Sequence, residues 1–310
     1  MMDKIRVGCS YPFSRFAPNR SQFENAVKGF KSHGLNSIEL LFLGCVLGIP
    51  KPGPLLYYPT VDQSTSTSKL LSEFAVSIHG PYTISLTAIE KRQKQTTKAH
   101  FTMNLKLGHA VGATHLTFHA GTRKHQGEGK LVKEFLKEIV AEKEKKGYKL
   151  RLAPEVAGKL RSFAGFRKIV EVAHECGTLL CWDFSHDFAR GGDVTTEAGI
   201  LKRLELIDDN IDLKEDRLPI HLSGMVGGRW GEVSHTFLDR GSGVPWRLFL
   251  TVLREQGWLE RIQIICESKG KGASGIETRV KDALKIKKFV ESGESVTEYV
   301  PSKSRLDAHF

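Results

Sequence analysis

At 310 residues, with 40% hydrophobic and 26% charged side chains, the chain can bury one large core or two smaller ones, and its composition excludes collagenous, coiled-coil and disordered classes. No apolar stretch reaches the ~18 residues of a membrane span, and the N-terminus leads directly into a strand-like run; a cytoplasmic (intracellular) protein with no membrane partner is expected. The formal net charge of +11 favours anionic partners, nucleic acid foremost, although solvated lysines alone can produce the same excess. Five dispersed cysteines without a CxxC pair predict reduced thiols and no disulfide framework.

Along the chain, short apolar runs at 5–8, 37–41, 74–78, 115–118, 150–154, 179–182, 218–222 and 262–266 read as strands. Between them, segments with helical periodicity lie at 21–31, 89–111, 130–146, 162–176, 197–206, 246–256 and 277–290. This even alternation predicts the α/β class and a single (β/α)8 TIM barrel over 1–290, with 291–310 a polar tail expected to fray. Two connections break the rhythm: a Gly/Pro/Ser/Thr-rich stretch at 43–68 and a glycine-rich one at 224–243, and long loops are more often functional than idle.

Acids and histidines recur where the predicted strands end. His79 follows in SIHGPY, His119 in LTFHAG, Glu155 in APEVAG, Asp183 with His186 in WDFSHD, His221 in PIHLSG and Glu267 in IICESK. All fall on the carboxyl side of their strands, the face on which such barrels carry active sites. Any one histidine alone reads better as a satisfied structural residue, as His33, His109, His115, His125 and His174 do. Crowding so many onto one rim without a cation would incur a large desolvation cost. Mixed imidazole and carboxylate donors suit zinc, manganese or iron, and their number exceeds what one four-coordinate ion needs; a cluster of two or three ions follows.

These motifs, in this order, resemble the endonuclease IV family of apurinic/apyrimidinic endonucleases over nearly the whole barrel. SIHGPYTISL resembles the family's His-x-x-Tyr segment, LTFHAG its His-Pro-Gly segment and PEVAG its Glu-Asn-Thr-Ala-Gly segment. WDFSHDFARGGD resembles Asp-x-x-His-x-x-x-x-Gly, PIHLSG resembles His-Leu-Asn, and ICES the terminal Glu-Thr. The resemblance implies a phosphodiesterase that cuts double-stranded DNA 5′ to abasic lesions, with two to three zinc ions (manganese possible at one site) and Glu155 and Glu267 as catalytic groups. It assigns His79, His119 and Glu155 to a first ion and Glu155, Asp183, His221 and Glu267 to a second. His186 and His235 hold the third, where the family's Asp-Arg-His is replaced by EVSH; Glu232, or else Asp239, is the expected third ligand. For DNA contact the expected residues are Tyr82, Tyr57 and Tyr58, together with the loop cations Arg123, Lys124, Arg190, Arg229 and Lys269. The stretch at 43–68 lacks the arginine and glutamine that the family uses there, and Leu55, Leu56, Tyr57 and Tyr58 are the candidate replacements. A monomer is expected.

Two other readings stand beside this one. Glu155, Asp183, His221 and Glu267 also complete the single-metal set of similar sugar isomerases and epimerases, which would not need His79, His119, His186 or His235 as ligands. A DNA-binding protein that has lost activity through its altered third site is the other.

Overall fold

In a computed structural model, residues 5–13, 20–42, 66–122, 127–269 and 275–299 are described. Eight parallel strands, β1 (Arg6–Phe13), β2 (Ser37–Phe42), β3 (Ala75–His79), β4 (His115–His119), β5 (Arg151–Glu155), β6 (Trp182–Asp183), β7 (Leu218–Leu222) and β10 (Ile262–Cys266), form one sheet in the order β5-β4-β3-β2-β1-β10-β7-β6. The sheet closes on itself at its two ends. The Leu179 N–H donates to the Leu152 carbonyl and the Cys181 N–H to the Pro154 carbonyl, each at 2.9 Å, and the Val156 N–H returns to the Cys181 carbonyl at 3.0 Å. The result is an α/β TIM barrel, as the alternation predicts.

The strands are buried on both faces, which is why they read as unbroken apolar runs. Outside them lie α1 (Arg20–Ser32), α2 (Ser66–Leu71), α3 (Lys91–Ala110), α4 (Glu128–Lys145), α5 (Phe166–Cys176), α6 (Phe184–Ala189), α7 (Glu197–Asn210), α8 (Trp246–Glu255) and α9 (Gly275–Ser292). Helix α5 illustrates how the covering layer is specified. Phe166, Ile169, Val170, Ala173 and Cys176 bury one face, and Gly177 ends the helix at φ 64°, a conformation glycine adopts without strain.

Four features depart from the predicted elements, the first being α2, a helix that begins within the 43–68 connection. The 224–243 connection carries an antiparallel hairpin of β8 (Gly224–Gly228) and β9 (Gly231–Thr236). A one-and-a-half-turn helix, α6, starts immediately at the end of β6. The beginning of the tail does not fray: the Val296 N–H donates to Thr251 Oγ1 at 3.0 Å, and Val296 and Tyr299 pack against the core, two apolar side chains being enough to hold it down. The described cysteines, Cys9, Cys176, Cys181 and Cys266, are all free and buried. Among the described residues no helix is long and apolar enough to cross a membrane.

Candidate metal centre

The barrel places the side chains by ending its strands in them. His79, His119, Glu155 and Asp183 are the last residues of β3, β4, β5 and β6; His221 is next to last in β7, and Glu267 follows β10, its N–H bonded to the Leu222 carbonyl at 3.1 Å. In the ladder His119 stands opposite Glu155 and Asp183 opposite His221. All the sequence-predicted strand-end residues therefore converge on one end of the barrel.

Glu155 is at the centre, with no solvent exposure. Its Oε2 lies 3.2 Å from His79 Nε2 and 3.4 Å from His119 Nδ1, while Oε1 lies 3.1 Å from His186 Nδ1 and 3.6 Å from His221 Nδ1. Each oxygen thus faces a different pair of imidazoles. Burial alone would raise the Glu155 carboxyl, but His119, His186, His221 and His79 outweigh it and hold it well below the usual range. Glu267 is held at about 2, again against burial, by His221, His79 and His235.

Partners behind the rings fix which nitrogen faces inward. The His79 Nδ1–H donates to the Gly80 carbonyl at 2.7 Å, leaving Nε2 toward Glu155. The His186 Nδ1–H donates to the Val156 carbonyl at 3.0 Å, leaving Nε2 toward His235. His235 is braced through Nδ1 by Ser223 Oγ at 3.1 Å, and His221 through Nε2 by Glu39 Oε2 at 3.2 Å. Such outer contacts set the ring tautomer and orient metal-ligating histidines.

Asp183 has two uses. Its Oδ1 caps α6 by accepting the His186 N–H at 2.7 Å, so Asp183 sits at the N-cap and His186 in the first turn. The other oxygen, Oδ2, stays in the cluster, and burial pushes this carboxyl up to about 7.

His186 and His235 oppose each other through Nε2 atoms 3.1 Å apart. Glu232 reaches toward both, at 3.5 Å from His186 Nε2 and 3.7 Å from His235 Nε2. Burial would lower His186, but Asp183 and Glu155 lift it to about 10; burial and the His186 charge drop His235 to about 3. Two facing ring nitrogens at that distance need a hydrogen or a cation between them. A metal cation satisfies that geometry.

The donor set fits metal. Glu155 Oε1, Asp183 Oδ2 and His221 Nδ1 are buried and make no well-aligned hydrogen bond, although His186 Nδ1 lies 3.1 Å from both oxygens. Ligand atoms of His79–His119–Glu155, of Asp183–His186–His235 and of Glu155–Asp183–His221–Glu267 each lie within 4.8 Å of one another. Burial likewise drops His119, to about 4, so it faces the cluster as a neutral ligand.

Several expectations fall elsewhere. Asp239 pairs with Arg247 at 3.3 Å and Lys285 at 2.7 Å, so it is outside the cluster and Glu232 is the acid that reaches the third pair. Arg190 turns its guanidinium onto the carbonyls of Ala157, Lys159, Leu160 and Ser162, bracing that loop. Tyr82 stacks on His119 with 4.9 Å between centroids and is 68% exposed at the mouth of the site. Lys269 lines the same mouth, and Arg229 lies over the Trp230 ring at 5.0 Å. Tyr57, Tyr58, Arg123 and Lys124 lie outside the described residues. Sequence reasoning missed Glu39, fully buried beneath His221; its signal was an acid inside the apolar strand SIELLF.

A family model described as a xylose isomerase-like TIM barrel matches residues 27–289. An uncharacterized protein of Methanocaldococcus jannaschii, MJ0133, is 26% identical over 218 residues, 68% of this chain and 78% of its own. Endonuclease IV from Thermus thermophilus superimposes with a TM-score of 0.64 at 18% identity, covering 93% of this chain and 99% of that one. D-psicose 3-epimerase from Clostridium cellulolyticum reaches 0.61 at 11% identity, over 94% of this chain and 100% of that one. At such identities these superpositions establish the barrel alone.

Proposed function

Since the chain belongs to the xylose isomerase-like TIM barrel family, whose architecture serves unlike chemistries, we propose from its site that it is a metal-dependent phosphodiesterase cleaving DNA 5′ to abasic lesions. The observation that carries this reading is the His186–His235 pair with Glu232 beside it. These three residues, with His79 and His119, are surplus to any single-ion site.

In this reading His79, His119 and Glu155 would hold one zinc, Glu155, Asp183, His221 and Glu267 a second, and His186, His235 and Glu232 the third. Zinc bound there would supply Lewis acidity toward a phosphoryl oxygen and an acidified water. The chain's own groups do the rest. Glu155, wholly buried and ionised, serves as a ligand between sites. Glu267, 13% exposed at the edge of the cluster, can orient the attacking water or take its proton. A new P–O bond forms as the bond to the 3′ oxygen breaks, and that oxygen takes up a proton to leave a 3′-hydroxyl. Lys159, Arg161 and Lys269 line the cavity before the cluster, where cations would hold the flanking phosphates.

A single-metal sugar epimerase is the second reading, favoured by the completeness of Glu155, Asp183, His221 and Glu267 as one set. Metal analysis of protein purified without chelator, followed by incision of a duplex with one abasic site, separates the two. About three zinc ions per chain and a nick that Glu267→Gln abolishes support the endonuclease. One manganese, no nick, and interconversion of ketoses by the same preparation would overturn it.

A further inference from the structure

Three of the four tryptophans, Trp182, Trp246 and Trp258, are buried, whereas Trp230 is 68% exposed. It sits at the turn of the β8–β9 hairpin, beside Val233 at 62% exposure and across a backbone contact from Leu160 at 39%. Exposed apolar side chains grouped in this way mark a candidate contact surface.

The backbone beneath it is hydrogen-bonded to the 158–160 loop. The Leu160 N–H donates to the Trp230 carbonyl at 3.0 Å, Lys159 bridges Gly231, and the Glu232 N–H donates to the Gly158 carbonyl at 3.1 Å. Glu232 and His235, on the same hairpin, reach into the metal centre. Trp230 is thus tied to the site through a few ordered bonds, and it stands next to Lys159, which lines a cavity of about 490 Å³. Among that cavity's lining residues Lys159, Arg161 and Lys269 face a single carboxylate, Glu232, and Arg229 caps the indole itself. Aromatic surface with cations beside it matches a nucleic acid, whose bases stack while its phosphates pair. A substrate touching both the strand-end cluster and the hairpin turn is a polymer rather than a monosaccharide.

We propose that Trp230 is a stacking platform for an unpaired base of the nucleic-acid substrate, with Arg229 and the cavity lysines holding the adjoining phosphates; this rests on the endonuclease reading. The indole also reports on its own contact, since it is the one exposed tryptophan. The metal-replete full chain is titrated with a duplex carrying an abasic analogue and an uncleavable phosphorothioate, following DNA anisotropy and tryptophan emission together. Emission should be quenched in step with binding. Trp230→Ala should bind about 5- to 100-fold more weakly and lose the quenching, and Trp230→Phe should stay within about threefold of wild type. Binding without quenching, or wild-type affinity in Trp230→Ala, overturns the platform while leaving the endonuclease reading intact. No binding at all by the metal-replete protein overturns both.

Discussion

Histidine chemistry at this site is decided by what stands behind each ring. His221 illustrates it: Glu39 takes the Nε2 side at 3.2 Å, so Nδ1 is the nitrogen presented to Glu155 and Glu267. Glu39→Gln keeps an acceptor but removes the charge that makes the imidazole a stronger donor to metal. With zinc in the cluster, this variant should lose about 10- to 100-fold in zinc affinity by chelator competition. Its cobalt-substituted form should show an altered visible spectrum, and unchanged affinity and spectrum would rule out Glu39 as a positioning group. Glu155, His79 and His119 were legible in the sequence because each terminates an apolar strand run. Glu39 was not, because one acid within SIELLF carries no spacing rule; only the barrel's curvature brings it under a residue 182 positions away. The three-residue step from Asp183 to His186, which the resemblance divides between two ions, is also capping spacing: one carboxylate both starts α6 and faces the cluster.

At the level of elements, the eight strands could be read because parallel strands buried on both faces have nothing polar to interrupt them. The β8–β9 hairpin could not. Its first strand is GMVGG, without the β-branched alternation that marks a strand, and its pairing is held by neighbouring loops instead. Helix α6, at six residues, is too short for a helical period to register. The hairpin's fit against the 158–162 loop depends on Gly158, where an added Cβ would come within 2.7 Å of both Glu232 Cβ and His186 Cδ2. Gly231, at φ 87°, would meet the Gly158 carbonyl at 2.2 Å. Gly158→Ala should therefore displace the third ligand group and leave the other two in place. Metal analysis should find the zinc content lower by about one ion per chain, with far-UV circular dichroism unchanged. Full zinc content would mean that Glu232 does not ligate.

For the whole molecule, no single element holds the site: the candidate ligands come from β3, β4, β5, β6 and β7, from α6 and β9, and from the residue after β10. Only the closed barrel assembles them, and its closure is uneven. β1 pairs with β2 over six residues, whereas β6 is a two-residue strand and its contact with β5 is a single bridge at Glu155 and Cys181 plus a few backbone bonds. That thin seam runs directly between Glu155 on one side and Asp183 on the other. A cation bound by both would act as a rivet across the weakest joint of the cylinder, so holding metal and holding the barrel shut become one event. At a free zinc level 100 times the dissociation constant, the rivet would add about 2.7 kcal/mol. Chelation should lower the melting temperature and speed amide exchange at 179–183 more than at 262–266. Equal acceleration at the two sites would mean that the ion stabilises the barrel without closing it.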